Sequence, residues 1–256
     1  MLAYARKQPK RRSRLRCKQI GDVDLPDLLS EALNPMTMPE RLAELARDAN
    51  QSIRKGVAQN PNTPVRVIEL LIEDKELHLY IAWNASTPSD MLVELSKDAD
   101  FHVRRTVARH SHTPADTLTQ LARDKTVTVR RAVARHSHTP ADTLTQLARD
   151  NDREVRLEVA SHPHTPTEAR ALLAESKDRL CRSTVADCLN TPAELLTLLA
   201  GDEDSLVRRK VAGNPNAPTS TVLLLTRDTN EKVAKVAQRM LKDREQSSLS
   251  WFMGIG

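Results

Sequence analysis

The 256 residues suffice for one or two ordinary domains, but only Tyr4, Tyr80, Trp83, Phe101, Trp251 and Phe252 are aromatic, so any core is built from Leu, Val and Ala. No run approaches the ~20 consecutive apolar residues of a membrane span, no apolar stretch follows the basic N-terminus as in a secretory signal, and Cys17, Cys181 and Cys188 are too few for a disulfide framework, which fits a cytoplasmic protein. The net charge of +5 is uneven: eight of the 39 Lys and Arg residues lie in 1–18, which hold no carboxylate, leaving 31 against 34 carboxylates in the rest.

Residues 1–18 therefore read as a basic, disordered arm carrying Arg6, Lys7, Lys10, Arg11, Arg12, Arg14, Arg16 and Lys18. Residues 19–33 read as an N-terminal capping helix, with Leu25, Leu28, Leu29 and Leu33 after Asp24 and Pro26. From 34 to 239 the chain is repetitive. Residues 109–124, RHSHTPADTLTQLARD, recur unchanged at 135–150, a shift of 26. Weaker copies are marked by Pro39, Pro64, Pro88, Pro114, Pro140, Pro166, Pro192 and Pro218, which gives eight repeats. Val233, Val236, Ala237, Met240 and Leu241 then follow helical spacing as a closing helix, and 240–256 hold its end and an apolar tail, SWFMGIG.

Within one unit, Thr113 suits an N-cap, Pro114 the first helical position and Asp116 the third, where its carboxylate meets free amides. Leu118, Leu121 and Ala122 form one apolar stripe, Asp124 opens a turn, and Val129, Val133 and Ala134 form a second stripe. Helices of about ten residues are too short to stand alone in water. Each must be covered by its partner and by both neighbouring repeats. The predicted fold is an all-α solenoid of about eight two-helix repeats.

The strings IRKGVAQNPNTP (53–64), VRRTVARHSHTP (103–114) and VRRKVAGNPNAP (207–218), with Leu-x2-Leu-Ala and an Asp six residues before Arg, resemble the leucine-rich repeat variant family. The resemblance spans the repeat region and implies a right-handed, HEAT-like superhelix whose second helices are partly 3₁₀. Some members carry an N-terminal four-cysteine iron–sulfur segment; Cys17 stands without a CxxC, so no cofactor is carried over. The DNA glycosylases and phycobilin lyases of HEAT-like kinship have no catalytic pattern that matches these residues.

Three columns of side chains recur. Asp and Arg six apart occur at Asp48/Arg54, Asp98/Arg104, Asp124/Arg130, Asp150/Arg156 and Asp202/Arg208, and Arg182 keeps the column although Ser176 replaces its Asp. Stacking would line these up as an inter-repeat ladder, each guanidinium reaching carboxylates of its own and the next repeat. His110, His112, His136, His138, His162 and His164 fill one turn and could line a metal ridge, but Asn60, Asn62, Asn84, Ser86, Asn214 and Asn216 hold the same columns elsewhere, so a turn-satisfying role is expected. Lys55, Arg105, Arg131 and Arg209 lack a regular acidic neighbour and, with Arg109 and Arg135, form a cationic strip facing a groove or solvent. Tyr80 and Trp83 share one helical face near Phe101, in the repeat that is two residues short.

No catalytic carboxylate pair, activated nucleophile or glycine-rich phosphate loop is present, and only six glycines occur. The reading that follows is a non-catalytic scaffold binding a protein or peptide partner, acidic in character, through Tyr80, Trp83, Phe101, Arg105, Arg109, Arg131, Arg135 and Arg209. The alternative is a nucleic-acid-binding repeat protein using the basic arm and the Arg strip.

Overall fold

The computed structural model describes residues 25–252, and side chains for 25–246. The arm at 1–18, the first part of the 19–33 segment and the last residues of the apolar tail lie outside the described residues. Helix α1 (Leu25–Leu33) is followed by eight helix pairs: α2 (Pro39–Leu45) with α3 (Gln51–Gln59), α4 (Val65–Leu71) with α5 (His78–Trp83), α6 (Ser89–Leu95) with α7 (Phe101–Val107), and α8 (Ala115–Leu121) with α9 (Val127–Arg135). The remaining pairs are α10 (Ala141–Leu147) with α11 (Arg153–Ser161), α12 (Thr167–Ala174) with α13 (Arg179–Asp187), α14 (Ala193–Leu199) with α15 (Ser205–Gly213), and α16 (Thr219–Leu225) with α17 (Glu231–Phe252). No strand occurs among the described residues, and the sole 3₁₀ segment among them is Lys75–Leu77, ahead of α5. No described helix is long and apolar enough to cross a membrane.

A single apolar layer runs the length of the stack. First helices contribute pairs such as Leu118/Leu121 and Leu144/Leu147, three apart; second helices contribute Val129/Val133 and Val155/Val159, four apart, all at most 3 % exposed. Second helices pack on one another from α3 through to α17, so each is held by its predecessor and its successor. At the start of the array α1 sits so close to α3 that a Cβ on Gly56 would lie 2.9 Å from the Ala32 Cβ. The missing side chain is what allows that approach.

The threonine of each Thr-Pro does not cap the helix that follows, as the sequence suggested. Proline takes the N-cap position, and the Thr113 hydroxyl instead donates 2.5 Å to the Val107 carbonyl at the end of the preceding helix. Thr63, Thr87, Thr139, Thr165 and Thr191 do the same six residues back. The hydroxyl gives a second hydrogen bond to a carbonyl at a helix C-terminus, which already accepts the amide three residues on, rather than accepting from an amide at an N-terminus. Thr37 also reaches back six residues, to Glu31, and Met38 caps α2, so the counterpart of the other marker prolines is Met38 rather than Pro39. The first spacing is then 26, and only the second repeat, at 24, is short.

The Asp–Arg ladder forms, with one correction to its wiring. Arg130 grips the carboxylate of Asp150, one repeat ahead, at 2.6 and 3.0 Å, while its other arm donates to the main-chain carbonyl of Asp124, in its own repeat. Arg104–Asp124, Arg182–Asp202 and Arg208–Asp228 have the same bidentate geometry, and Arg54 reaches Asp74 through one nitrogen. The own-repeat contact needs a carbonyl and not a carboxylate, which is why Arg182 keeps its place behind Ser176. Each aspartate's second oxygen accepts the amide two residues on, as Asp124 does from Thr126, closing the turn. Ser176 does that turn work with its hydroxyl, so Arg156 holds the Asp150 and Asn151 carbonyls, lies beside the Cys181 thiol and meets no carboxylate among the described residues. Asp98 is met by His78, which occupies the Arg column in the short repeat at 2.5 Å. The two missing residues fall between Asp74 and His78, where the 3₁₀ segment lies.

One position breaks the apolar pattern. Arg170 stands in the column of Leu118, Leu144 and Leu196, is 2 % exposed, and leaves one guanidinium nitrogen without a partner. Its other nitrogens donate to the Thr165 and His162 carbonyls.

Two stability measurements test this architecture. Arg130→Ala strands the mostly buried Asp150 carboxylate and is expected to cost about 2–3 kcal/mol in urea unfolding, whereas Arg156→Ala, with no carboxylate to strand, costs about 1 kcal/mol; equal losses would remove the ladder as the distinction. Arg170→Leu is expected to stabilise the chain by about 1–3 kcal/mol, and a lower melting temperature would contradict that.

Candidate functional site

The histidine turn has a specific geometry. His110 Nε2–H donates to the Asn84 carbonyl at 3.0 Å, His136 to the His110 carbonyl at 3.0 Å, and His162 to the His136 carbonyl at 3.1 Å. In each ring Nδ1 accepts the amide of the residue two further on, His112, His138 or His164. Asn60, Asn84 and Asn214 do the same work with amide NH₂ and oxygen. Because the carbonyl can only accept and the amide can only donate, the neutral tautomer with hydrogen on Nε2 is fixed. Both nitrogens of the inner ring are therefore engaged by the backbone, and the inner column is a main-chain ladder rather than a ridge of open lone pairs. No group of three or more His, Cys, Asp or Glu side chains is placed to hold a metal ion among the described residues. Cys188, in the same column, points its thiol at the Ala160 carbonyl.

The side of the stack built from second helices carries the cationic strip and the rings. Trp83, the last residue of α5, occupies the column of Arg109 and Arg135 and is 71 % exposed. Tyr80 is half-buried one turn earlier, with the Lys55 ammonium 5.5 Å from its ring centre. The indole stands between two hollows. One, of about 430 Å³, is walled by Gln59, Leu79 and Tyr80; the other, of about 410 Å³, by Arg105, Thr106, Arg109 and Ser111. Phe101 is not part of this cluster: it begins α7 and stacks on His102, ring centres 4.0 Å apart.

The cationic strip divides in two. Arg131 and Arg135 do have an acidic partner, contrary to the sequence expectation. Glu158, on the next second helix, takes Arg131 Nε at 2.8 Å and Arg135 at 2.7 and 2.9 Å, and Glu154 lies 3.5 Å from Arg131. Burial pushes the Glu158 carboxyl up, but the two guanidinium contacts outweigh it and hold it below its usual range. The guanidinium groups of Arg105 and Arg109 have no hydrogen bond or ion pair among the described residues. Arg209 is likewise free but lies four repeats away, in a depression of about 350 Å³ with Ser205, Asn230 and Lys232. The structure thus brings together Tyr80, Trp83, Arg105 and Arg109, ties down Arg131 and Arg135, and sets Phe101 and Arg209 apart. Another depression, of about 730 Å³, lies beside Asp124, Arg130 and Asp150, whose charges are already paired.

Sequence reasoning missed Glu158, Arg170 and His78. All three are visible on aligning the repeats at 26, since each departs from its column: Ala132 precedes Glu158, Leu144 precedes Arg170, and Arg104 follows His78.

The inner histidines make stability depend on pH. Burial lowers the imidazole pKa of His110, His136 and His162, only partly offset by the carbonyl each ring donates to. The unfolded chain therefore binds protons near its ordinary value of about 6.5, before the folded chain does. Stability is full above that pH and falls as the pH drops below it. Desolvation raises the carboxyls of Asp124 and Asp150, but their arginine partners pull them below normal, so the ladder loses its contribution only below about pH 4. Replacing all three histidines with asparagine should flatten the unfolding free energy between about pH 7 and pH 5; an unchanged slope would exclude the inner column as its source.

Comparison with known proteins agrees with the geometry. Residues 101–125, 127–152 and 153–178 match the family model described as leucine rich repeat variant. The chain matches no curated protein. It is similar to the solved structure of a leucine-rich repeat variant with a novel repetitive protein structural motif, at 25 % identity and a TM-score of 0.62, over 79 % of this chain and 81 % of that one. An engineered protein aligns over 84 % of this chain and 82 % of its own at 19 % identity, with a TM-score of 0.42. A designed armadillo repeat protein in complex with the peptide (KR)4 aligns over 85 % and 90 % at 18 % identity, with a TM-score of 0.20. Three consecutive units of the array thus match the leucine rich repeat variant model, within a helical solenoid of stacked helix pairs.

Proposed function

We propose that this chain is a non-catalytic scaffold that binds a peptide segment of another protein along its second-helix side, centred on Trp83. The observation that carries the reading is an indole 71 % exposed between two hollows, in a chain otherwise nearly free of rings. Large apolar rings in a concave, partly desolvated setting are typical anchors of protein interfaces, and a core repair would have buried the ring. The free guanidinium groups of Arg105 and Arg109 beside it favour a partner with acidic side chains. Among the described residues, the Asp, Arg and inner His groups of the repeated ladders are committed to main-chain and inter-repeat bonds, which supports a binding role.

The nucleic-acid reading rests on residues 1–18, outside the described residues, and on a strip in which Arg131 and Arg135 are already paired with Glu158 and Glu154. The remaining chain carries a slight excess of carboxylates, which disfavours a phosphate backbone.

Peptides selected from a random display library on the full chain should lose affinity by on the order of 10- to 100-fold on Trp83→Ala, with the melting temperature unchanged. Binding indifferent to that substitution rejects the site. A steep salt dependence abolished by deleting 1–18 would instead favour nucleic acid.

A further inference from the structure

The array contains its own precedent for what Arg105 and Arg109 bind. Arg131 and Arg135 stand one repeat after them, in the same two columns and also four apart on a second helix. There, a single carboxylate bridges both guanidinium groups: Glu158 Oε1 takes Arg131 Nε at 2.8 Å and Arg135 Nη2 at 2.7 Å, and Oε2 takes Arg135 Nε at 2.9 Å. The acid comes from the following second helix. At the corresponding place for Arg105 and Arg109, 26 residues before Glu158, the chain has Ala132, and before Glu154 it has Thr128. Two arginines at the spacing that elsewhere clasps a carboxylate thus face a position where the chain supplies none, and they wall the hollow that Trp83 closes from the other side.

We propose that Arg105 and Arg109 form a fork for a carboxylate supplied by the ligand, so that the bound segment carries an Asp or Glu side chain next to an apolar residue that covers Trp83. This deepens the scaffold reading and rests on it. The fork fits a planar acid better than a lone ammonium would, since each guanidinium can present two parallel donors. The same comparison limits the site. Glu158 occupies the next fork along, so a bound segment finds a free acid receptor at α7 and a filled one at α9. Glu158 acts there as an internal stand-in for the ligand's acid.

The probe is a fluorescein-labelled peptide of alternating Glu and Leu, compared with its Gln and Leu counterpart on the full chain. The Glu peptide should bind more tightly by on the order of tenfold. The double substitution Arg105→Gln/Arg109→Gln should erase that preference, and Ala132→Glu, which supplies the missing internal acid, should do the same. Ala132 is buried, so the arginine double variant, altered only at the more accessible fork, stands as the independent measurement. Equal binding of both peptides to the unaltered chain overturns the fork. If that equal binding is lost on Trp83→Ala, the scaffold stands without it. If the Glu preference survives Trp83→Ala but not the arginine variant, the fork stands and the Trp83-centred reading falls. A thymidine oligonucleotide that displaces the Glu peptide with equal affinity, through the same two arginines, makes the fork a phosphate receptor and overturns the proposal.

Discussion

Helices of six to nine residues cannot hold themselves together in water, and that constraint shapes this molecule. Among the described helices only α17 is longer, and it closes the array. The others persist because each buries its stripe against a partner and two neighbours, so stability is a property of adjacent pairs and not of any one unit. The two polar ladders keep that stacking in register. Arginine side chains reach forward to the aspartate of the next repeat, whereas the Asn and His side chains reach backward to a carbonyl of the previous one. A sliding mismatch between neighbours would break both at once, leaving partly buried charges and carbonyls unpaired.

Much of this was legible in the sequence because repetition reports packing. A position that holds Leu in Leu118, Leu144 and Leu196 faces the core, and the prolines phase the helices. The forward half of the Asp–Arg ladder was legible for the same reason. What was hidden concerns direction: the spacing of Thr113 and Pro114 is compatible with capping either the helix ahead or the helix behind, and only the hydroxyl's geometry decides. The own-repeat half of the Arg contact was misread because a six-residue separation does not distinguish an aspartate's carboxylate from its carbonyl.

The candidate site was less legible, for a related reason. It consists of departures from the pattern, and a departure gains meaning only beside its neighbours in space. Arg105 and Arg131 look equivalent along the chain, but Glu158 lies across from one and Ala132 from the other. Phe101 seemed close to Trp83 by repeat position, yet it turns onto His102. The shortened second repeat, with His78 standing in for Arg, is where the ladder is least regular, and it carries both solenoid rings that line the hollows.

The identical stretches at 109–124 and 135–150 have a consequence for how such a chain changes length. A unit offers at its trailing edge the acceptor that the following leading edge requires, and the His136 carbonyl receives His162 just as the His110 carbonyl receives His136. Joining one stretch to the other in place of itself would excise or duplicate a whole module without leaving a mismatched seam. Misaligned recombination between the two coding segments would therefore yield a longer protein that keeps Ala132 across from Arg105 and Arg109, or a shorter one that sets Glu158 there and fills the fork, each with its ladders unbroken.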